Sequence, residues 1–251
     1  MPLLKPGLLA LICSLLSSVA LADRSQPGES PLTATPPEWQ FKLTPTYLTT
    51  AGSNPAGDLN LRANNGPHAL WIASYRQPGS FQQTRTGYEF SARWDYLKLV
   101  PSLQAATHGF VGGSLNAEIG GPLFVLLGFG RTNTRPYYNL NIDPNDMQTY
   151  GLGSHLSEQT SVALYTVRDD RLHTGQRISH LLFRQQLDAR NRLTVDLFDK
   201  RGRADENAPP IRGSGLALTW DHDQWFARLA HEQKVGFGDS QQNRFSLGWR
   251  F

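Results

Sequence analysis

The amino-acid sequence predicts an all-β fold, a transmembrane antiparallel up-and-down β-barrel of about 12 to 14 strands. Three observations lead to this prediction. Apolar and polar residues alternate one by one along much of the chain, short and long connections alternate between these stretches, and helical periodicity is absent after the first residues. The only long apolar run, residues 8–21, is shorter than the about 20 residues that a membrane helix needs.

The N-terminus has the pattern of an export signal. Lys5 precedes the apolar run, and Ala20-Leu21-Ala22 supplies the small residues that a signal peptidase requires. We therefore predict a signal peptide over residues 1–22. An uncleaved anchor helix is the alternative, but the run is too short for a hydrocarbon core of about 30 Å. Cys13, the only cysteine, would leave with the signal, so disulfides and thiolate catalysis are not expected in the mature chain.

The composition distinguishes a leader from the barrel, and the net charge gives no sign of a nucleic-acid partner. Residues 23–37 are rich in proline and poor in apolar residues, which predicts an extended periplasmic leader. Residues 38–251 form the predicted barrel. The formal net charge of +3 on 251 residues is nearly balanced and gives no reason to expect nucleic acid as a partner.

The clearest alternation covers residues 84–96. Successive side chains of a strand point to opposite faces, so this stretch has an apolar aromatic face and a charged face. The apolar face has Tyr88, Phe90, Trp94 and Tyr96, and the charged face has Arg85, Glu89, Arg93 and Asp95. The same pattern recurs near residues 58–63, 114–119, 193–198, 216–221 and 225–230.

The connections between these segments alternate in length. Short links are expected near residues 65–67, 120–122, 156–159, 188–191 and 221–224. Longer links, rich in glycine or proline, are expected near residues 50–57, 76–81, 131–146, 169–175, 201–213 and 235–240. A membrane barrel has short turns at one end and longer loops at the other. The strand boundaries are hardest to place in residues 100–111, because Pro101 and several glycines interrupt the alternation.

The last segment carries the most specific signal. Phe245, Leu247, Trp249 and Phe251 share one face, and the chain ends on an aromatic residue. In this respect the chain resembles the outer-membrane β-barrel proteins of Gram-negative bacteria. The resemblance implies an outer-membrane location, insertion by the barrel-assembly machinery through this strand, and contact with membrane lipid and lipopolysaccharide. It indicates no particular functional family.

The alternation also predicts which side chains line the lumen. A cation facing lipid at the bilayer midplane costs about 2 to 4 kcal/mol, so the charged face should point inward. The predicted lumen and solute-binding residues are Arg62, Arg85, Glu89, Arg93, Glu118, His180, Arg184, Asp196 and Arg228, with Lys42, Asp58, Asp95, Glu232, Arg244 and Arg250 on the same face. The alternative is an exported soluble barrel or sandwich, with the aromatics inside.

The segment 128–148 is the longest predicted outer loop. Arg131 and Arg135 lie near Tyr137 and Tyr138, a combination that could bind a phosphate or a sugar. Asn141, Asp143 and Asp146 offer oxygen ligands of the kind that Ca²⁺ prefers, so calcium at this loop is a hypothesis; no other cofactor is expected. Such runs are also turn formers, and inward folding as a constriction loop is a further hypothesis.

Three functional roles remain open. A charged lumen favours a channel for small polar or anionic solutes, or an envelope structural barrel whose charges only cross-link the wall. A lipid- or lipopolysaccharide-modifying hydrolase is the alternative, with His180 as its best candidate base. No Ser/His pair shows a recognisable spacing, so we assign no catalytic residue and expect a non-enzymatic protein.

Overall fold

The computed structural model describes residues 38–251, and the predicted signal peptide and leader, residues 1–22 and 23–37, lie outside it. The described chain forms a closed antiparallel barrel of 14 strands, as predicted. The strand segments are β1 (Gln40–Thr50), β2 (Ala56–Asn65), β3 (His68–Gln77), β4 (Phe81–Phe90), β5 (Ala92–Trp94), β6 (Leu97–Ala106), β7 (Phe110–Gly120), β8 (Leu123–Thr132), β9 (Met147–His155), β10 (Thr160–Asp169), β11 (Arg177–Gln186), β12 (Asn191–Gly202), β13 (Ile211–His222), β14 (Trp225–Gln233) and β15 (Gln241–Arg250).

Closure of the barrel depends on two junctions. The segments β4 and β5 both pair with β6 and form one barrel strand that is interrupted at Ser91. The first strand pairs with the last, and Phe41 and Phe251 exchange backbone hydrogen bonds of 2.8 and 3.0 Å. All other neighbours in the barrel are consecutive in sequence. Because the sheet closes on itself, it leaves no open edge, which a hydrocarbon layer would penalise.

The outer surface is apolar, as the alternation predicted. Leucines, isoleucines and aromatic side chains project outward, and Leu103 is 67% exposed and Leu164 62% exposed. A strand of about ten residues, tilted as in other membrane barrels, covers about 25 Å, the height of an apolar band. Exposed aromatic residues collect near the end with the short turns: Trp39, Trp94, Tyr96, Trp225, Trp249 and Phe251. This arrangement is typical of an aromatic girdle at a membrane interface.

The two ends of the barrel differ in their connections. We call the end with the short links the inner end and the opposite end the outer end. All the predicted short links lie at the inner end and all the predicted long links at the outer end. Two details differ from the prediction. Residues 95–96 form an additional inner turn, so Asp95 leaves the lumen face, and residues 107–109 form a tight outer turn that allows two full strands across residues 97–120.

Aromatic side chains pack against glycines on the inner face. A Cβ atom at Gly248 would lie 1.8 Å from the ring of Phe226, and one at Gly153 would lie 2.2 Å from the ring of Phe124. The same relation holds for Gly215 and Phe198, with 2.0 Å. These rings occupy the space that a side chain would fill at each glycine. Within residues 38–251, no helix is long and apolar enough to cross a membrane.

Candidate functional site: the barrel lumen

The connection between β8 and β9, residues 133–146, folds into the barrel; we call it the lumen loop. Tyr137 and Tyr138 are only 3% and 7% exposed. The Tyr137 ring stacks on Phe110 with centroids 4.1 Å apart, and the Tyr138 ring stacks on Tyr75 with centroids 3.4 Å apart. Burial raises the pKa of the Tyr138 phenol, so this side chain is neutral. The loop therefore occupies part of the outer lumen.

Hydrogen bonds fix the first part of the lumen loop to the wall. The side chain of Gln83 donates to the carbonyl of Pro136 (2.9 Å) and accepts from the backbone N–H of Tyr138 (2.6 Å). Arg85 donates to the carbonyl of Tyr138 (2.7 Å). The Tyr137 hydroxyl donates to Gln104 (2.9 Å). Because these bonds satisfy buried backbone groups, an irregular segment can lie inside the barrel.

The second part of the lumen loop contacts the opposite wall. Arg244 donates to the carbonyl of Leu140. The ring of His180 lies between two carboxylates, 2.9 Å from Asp143 of the loop and 3.0 Å from Asp196 of β12. Both ring nitrogens therefore face acceptors, and the imidazole links the loop to the wall. Neither nitrogen is left to take a proton from a serine, as the hydrolase alternative would require.

The lumen loop then returns to the outer rim. Asp146 accepts from the backbone and the hydroxyl of Thr132, at 3.0 and 2.8 Å, and pairs with Arg171 at 3.0 Å. Arg131 is at the rim, pairs with Asp170 at 2.5 Å and lies over a ring of β8. Arg135 is exposed.

The predicted outer-loop site is therefore not assembled. Tyr137 and Tyr138 are buried inside the barrel, whereas Arg131 and Arg135 are at its rim. The residues predicted to bind calcium do not share a ligand position either. Asp143 bonds His180, and Asp146 accepts a hydrogen bond from Thr132. Asn141 turns back on its own loop, its backbone N–H donating to Asn139. No three His, Cys, Asp or Glu side chains of residues 38–251 are close enough together to hold a metal ion.

The outer half of the lumen contains charges that are matched by partners. Arg85, which is 3% exposed, pairs with Asp58. Glu232 pairs with both Lys200, at 2.6 Å, and Arg244. Buried charges are tolerated only when they are paired and hydrogen-bonded. These pairs join neighbouring or nearby strands and stabilise the wall around the loop.

The inner half contains more cations than acids. Arg62 pairs with Glu89 at 2.5 Å. Arg192 and Arg250 share Asp221. Three further inward cations, Lys42, Arg184 and Arg228, have no carboxylate within 4.0 Å among residues 38–251. Lys42 lies instead over the ring of Phe226, 5.6 Å from its centroid. The inner lumen therefore has an excess of positive charge.

Register places the predicted lumen residues as follows. Arg62, Arg85, Glu89, Glu118, His180, Arg184, Asp196 and Arg228 face inward, and Arg93 faces Lys98 at the inner end, where it is exposed. Their role in solute binding stays a prediction.

The sequence reading missed Lys98, Lys200 and Arg192. Lys98 is in the region that Pro101 obscures. Lys200 and Arg192 continue the alternation of Asp196, so extending that strand in both directions would have identified them.

Comparisons with known proteins identify the fold. No family model matches the chain, and no curated protein matches it. Among solved structures, the Acinetobacter baumannii outer membrane protein Omp33 is similar with a TM-score of 0.55 and 9% identity, over 86% of this chain and 100% of the other.

Two further structures are similar. The CymD monoaromatic hydrocarbon channel has a TM-score of 0.58 and 12% identity, over 86% of this chain and 88% of the other. A variant of Rhodopseudomonas blastica porin has a TM-score of 0.50 and 8% identity, over 85% and 99%. At these identities the likeness shows the fold alone: a transmembrane β-barrel of the outer-membrane porin type.

Proposed function

We propose that the chain is an outer-membrane channel for small anionic solutes and that the lumen loop narrows it. One observation carries the proposal: Lys42, Arg184 and Arg228 face the inner lumen without a carboxylate partner in residues 38–251. Unpaired charges persist where water reaches them, and a positive wall attracts anions and repels cations. The similar structures include channels and porins, which supports the same function.

The proposal includes the partners of the barrel. The apolar belt would contact membrane lipid and lipopolysaccharide, and the last strand would be recognised by the barrel-assembly machinery. The outward aromatic face of β15, with Phe245, Trp249 and Phe251 exposed, supports this second contact. A purely structural role would leave the unpaired inner cations without an explanation, so we rank the channel first.

Planar-bilayer recording tests the channel. The purified protein, reconstituted in a KCl gradient, should give conductance steps. Its reversal potential should lie closer to the equilibrium potential of chloride than to that of potassium. Lys42→Glu should shift the reversal potential toward that of potassium, because it reverses a charge in the inner lumen. Lys234→Glu is the control, since Lys234 belongs to an outer loop and pairs with the exposed Asp239. Absence of conductance steps, or cation selectivity of the unmodified protein, would contradict the proposal.

A further inference from the structure

Four arginines lie side by side on the outward face of the barrel, at its outer end. The register pairs of four consecutive strands, β10 to β13, place them directly opposite one another: Arg168, Arg177, Arg201 and Arg212. We call this set the arginine row. The preceding or following residue on each strand is buried, so the arginines point away from the lumen. Paired Cα atoms in an antiparallel sheet are about 5 Å apart, so the row is about 15 Å long.

Only one member of the arginine row has a carboxylate partner within residues 38–251. Arg212 pairs with Asp199 at 3.0 Å. Arg168, Arg177 and Arg201 have no carboxylate within 4.0 Å in this part of the chain. Like charges directly opposite each other destabilise a sheet. The arginine row therefore favours an anionic partner from outside the chain.

The outward surface below the arginine row changes from polar to apolar. In the next outward row, the hydroxyl groups of Thr166 and Ser179 are 2.9 Å apart. One outward row further toward the inner end, four leucines stand in register and are 42 to 62% exposed: Leu164, Leu181, Leu197 and Leu216. Cations above hydroxyl groups above leucines is the order expected where lipid headgroups meet hydrocarbon.

The height of the arginine row agrees with this boundary. Arg212 and Trp220 are both outward residues of β13, and Trp220, eight positions along the strand, is 49% exposed near the inner end. Eight residues at about 3.3 Å each, on a strand tilted by about 40°, give a height of about 20 Å. Extended arginine side chains bring the guanidinium groups to the outer edge of an apolar band about 25 Å tall. A cation on the lipid face costs little at that level.

The arginine row covers one side of the barrel only. At the outer end of β6 and β7, the outward pair is Ala105 and Val111, and Val111 is 56% exposed. On β3, the outward Arg76 stands singly and faces Gln82 of β4. The positive charge is therefore concentrated on a patch of four strands, which suits a discrete anionic ligand.

We propose that the arginine row binds the phosphate groups of lipopolysaccharide in the outer leaflet. Guanidinium groups form bidentate hydrogen bonds with phosphate, and the four leucines below the row would contact the acyl chains of the same lipid. The inference deepens the lipid contact included in the proposed function and rests on the outer-membrane location. It does not depend on the channel, because the row lies outside the lumen.

Native mass spectrometry of the purified protein in nonionic detergent tests the site. The probes are lipid A, the phosphorylated anchor of lipopolysaccharide, and the same lipid A with its phosphates removed. We expect a saturable complex with lipid A and about tenfold weaker binding, or less, of the dephosphorylated lipid, because charge-assisted hydrogen bonds are lost. Equal binding of the two lipids would overturn the inference. Displacement of lipid A by an equal concentration of inorganic phosphate would also overturn it, since the acyl chains would then contribute nothing.

Two double variants assign the binding to the arginine row. Arg177→Gln with Arg201→Gln should weaken lipid A binding about tenfold or more and leave binding of the dephosphorylated lipid unchanged. Arg76→Gln with Arg190→Gln is the matched control: it also removes two arginine charges, but Arg76 stands singly and Arg190, 72% exposed, belongs to an inner turn. Equal lipid A binding by the two variants would overturn the role of the row. If the row variant does not form a heat-modifiable barrel, the comparison of the two lipids on the unmodified protein still decides.

The outcomes separate this inference from the channel itself, since lipid binding is measured without conductance. Conductance steps without a preference for the phosphorylated lipid would overturn the lipid site and leave the channel. A preference for the phosphorylated lipid without conductance steps would support the site and contradict the channel. The same spectra report the oligomeric state: dimers of the chain that disappear in the row variant would overturn the lipid site and assign the row to contact between two copies.

Discussion

The outer and inner halves of the lumen use charge differently. In the outer half, Asp58 has Arg85, and Glu232 has Lys200 and Arg244. In the inner half, Arg184 and Arg228 face inward without a carboxylate partner in the described chain. Aromatic rings of the outer connections lie over these charges. Tyr138 of the lumen loop lies over Arg85, and Phe237 of the β14–β15 connection lies over Lys200. A buried charge without a partner is costly. The inner half also has ion pairs, formed by Arg62 with Glu89 and by two arginines with Asp221. Its cations without a carboxylate partner lie closer to the inner end than the loop and are available to attract a solute. Pairing and burial thus separate structural charges from those available for binding.

Wall residues that hold the lumen loop also have partners in the wall. Arg85 bonds the loop carbonyl of Tyr138 and also Asp58. His180 bonds Asp143 of the loop and also Asp196 of β12. Arg244 bonds the loop at Leu140 and also Glu232. The barrel should therefore keep its wall network when the loop is removed.

The largest effect is expected from excising the lumen loop. Replacing residues 136–143 by a short Gly-Ser link should raise single-channel conductance several-fold, because the segment that fills the outer lumen is gone. Planar-bilayer recording measures the change, and heat-modifiable migration confirms that the barrel forms. Shortening the loop at residues 205–208, which connects β12 to β13, is the control. If conductance is the same with and without the lumen loop, the loop does not limit the channel.

The second-largest effect is expected for the stability of the outer half, where the charges are paired. Glu232→Gln leaves buried Lys200 and Arg244 without their carboxylate, so we expect a loss of about 3 to 5 kcal/mol in the free energy of unfolding. Lys42→Gln in the inner half should change this free energy by less than about 1 kcal/mol, because no pair is broken. Urea titration in detergent micelles measures both. Equal losses of unfolding free energy in the two variants would contradict the proposed difference in charge pairing between the outer and inner halves.

The orientation of the wall could be predicted from the sequence, because a period of two assigns each residue to a face. Phe245, Leu247 and Trp249 project outward as the pattern predicts, and Arg85 and Glu89 project inward. The positions of the long and short connections could also be predicted, since turn residues interrupt the alternation.

The contents of the lumen could not be predicted in the same way. Periodicity gives a face but no partner across the barrel, so it does not show that Asp143 meets His180 or that Tyr138 stacks on Tyr75. The lumen loop has the composition of an exposed turn, and only the wall makes its inward position favourable.

A smaller effect is expected from a change in aromatic packing on the inner face of the barrel. Gly248→Ala would place a Cβ atom 1.8 Å from the ring of Phe226 near the inner end. Overpacking of this kind costs about 1 to 3 kcal/mol, measured by urea titration. Gly57→Ala is the control, because its nearest contact would be a carbonyl at 4.0 Å. The double variant with Phe226→Leu should recover part of the loss, and the absence of any recovery would show that the ring is not the cause.

The smallest effect is expected for an ion pair that water surrounds. Arg212 and Asp199 are 3.0 Å apart, close to the 2.6 Å of Lys200 and Glu232, but their side chains are 79% and 43% exposed. Arg212→Ala should reduce the free energy of unfolding by less than about 0.5 kcal/mol, since exposed pairs contribute little. Urea titration beside Glu232→Gln gives the comparison. A loss as large as that of Glu232→Gln would mean that pairing itself, rather than burial, sets the cost. The small loss that we expect would instead attribute the stability of the outer half to the exclusion of water from its paired charges.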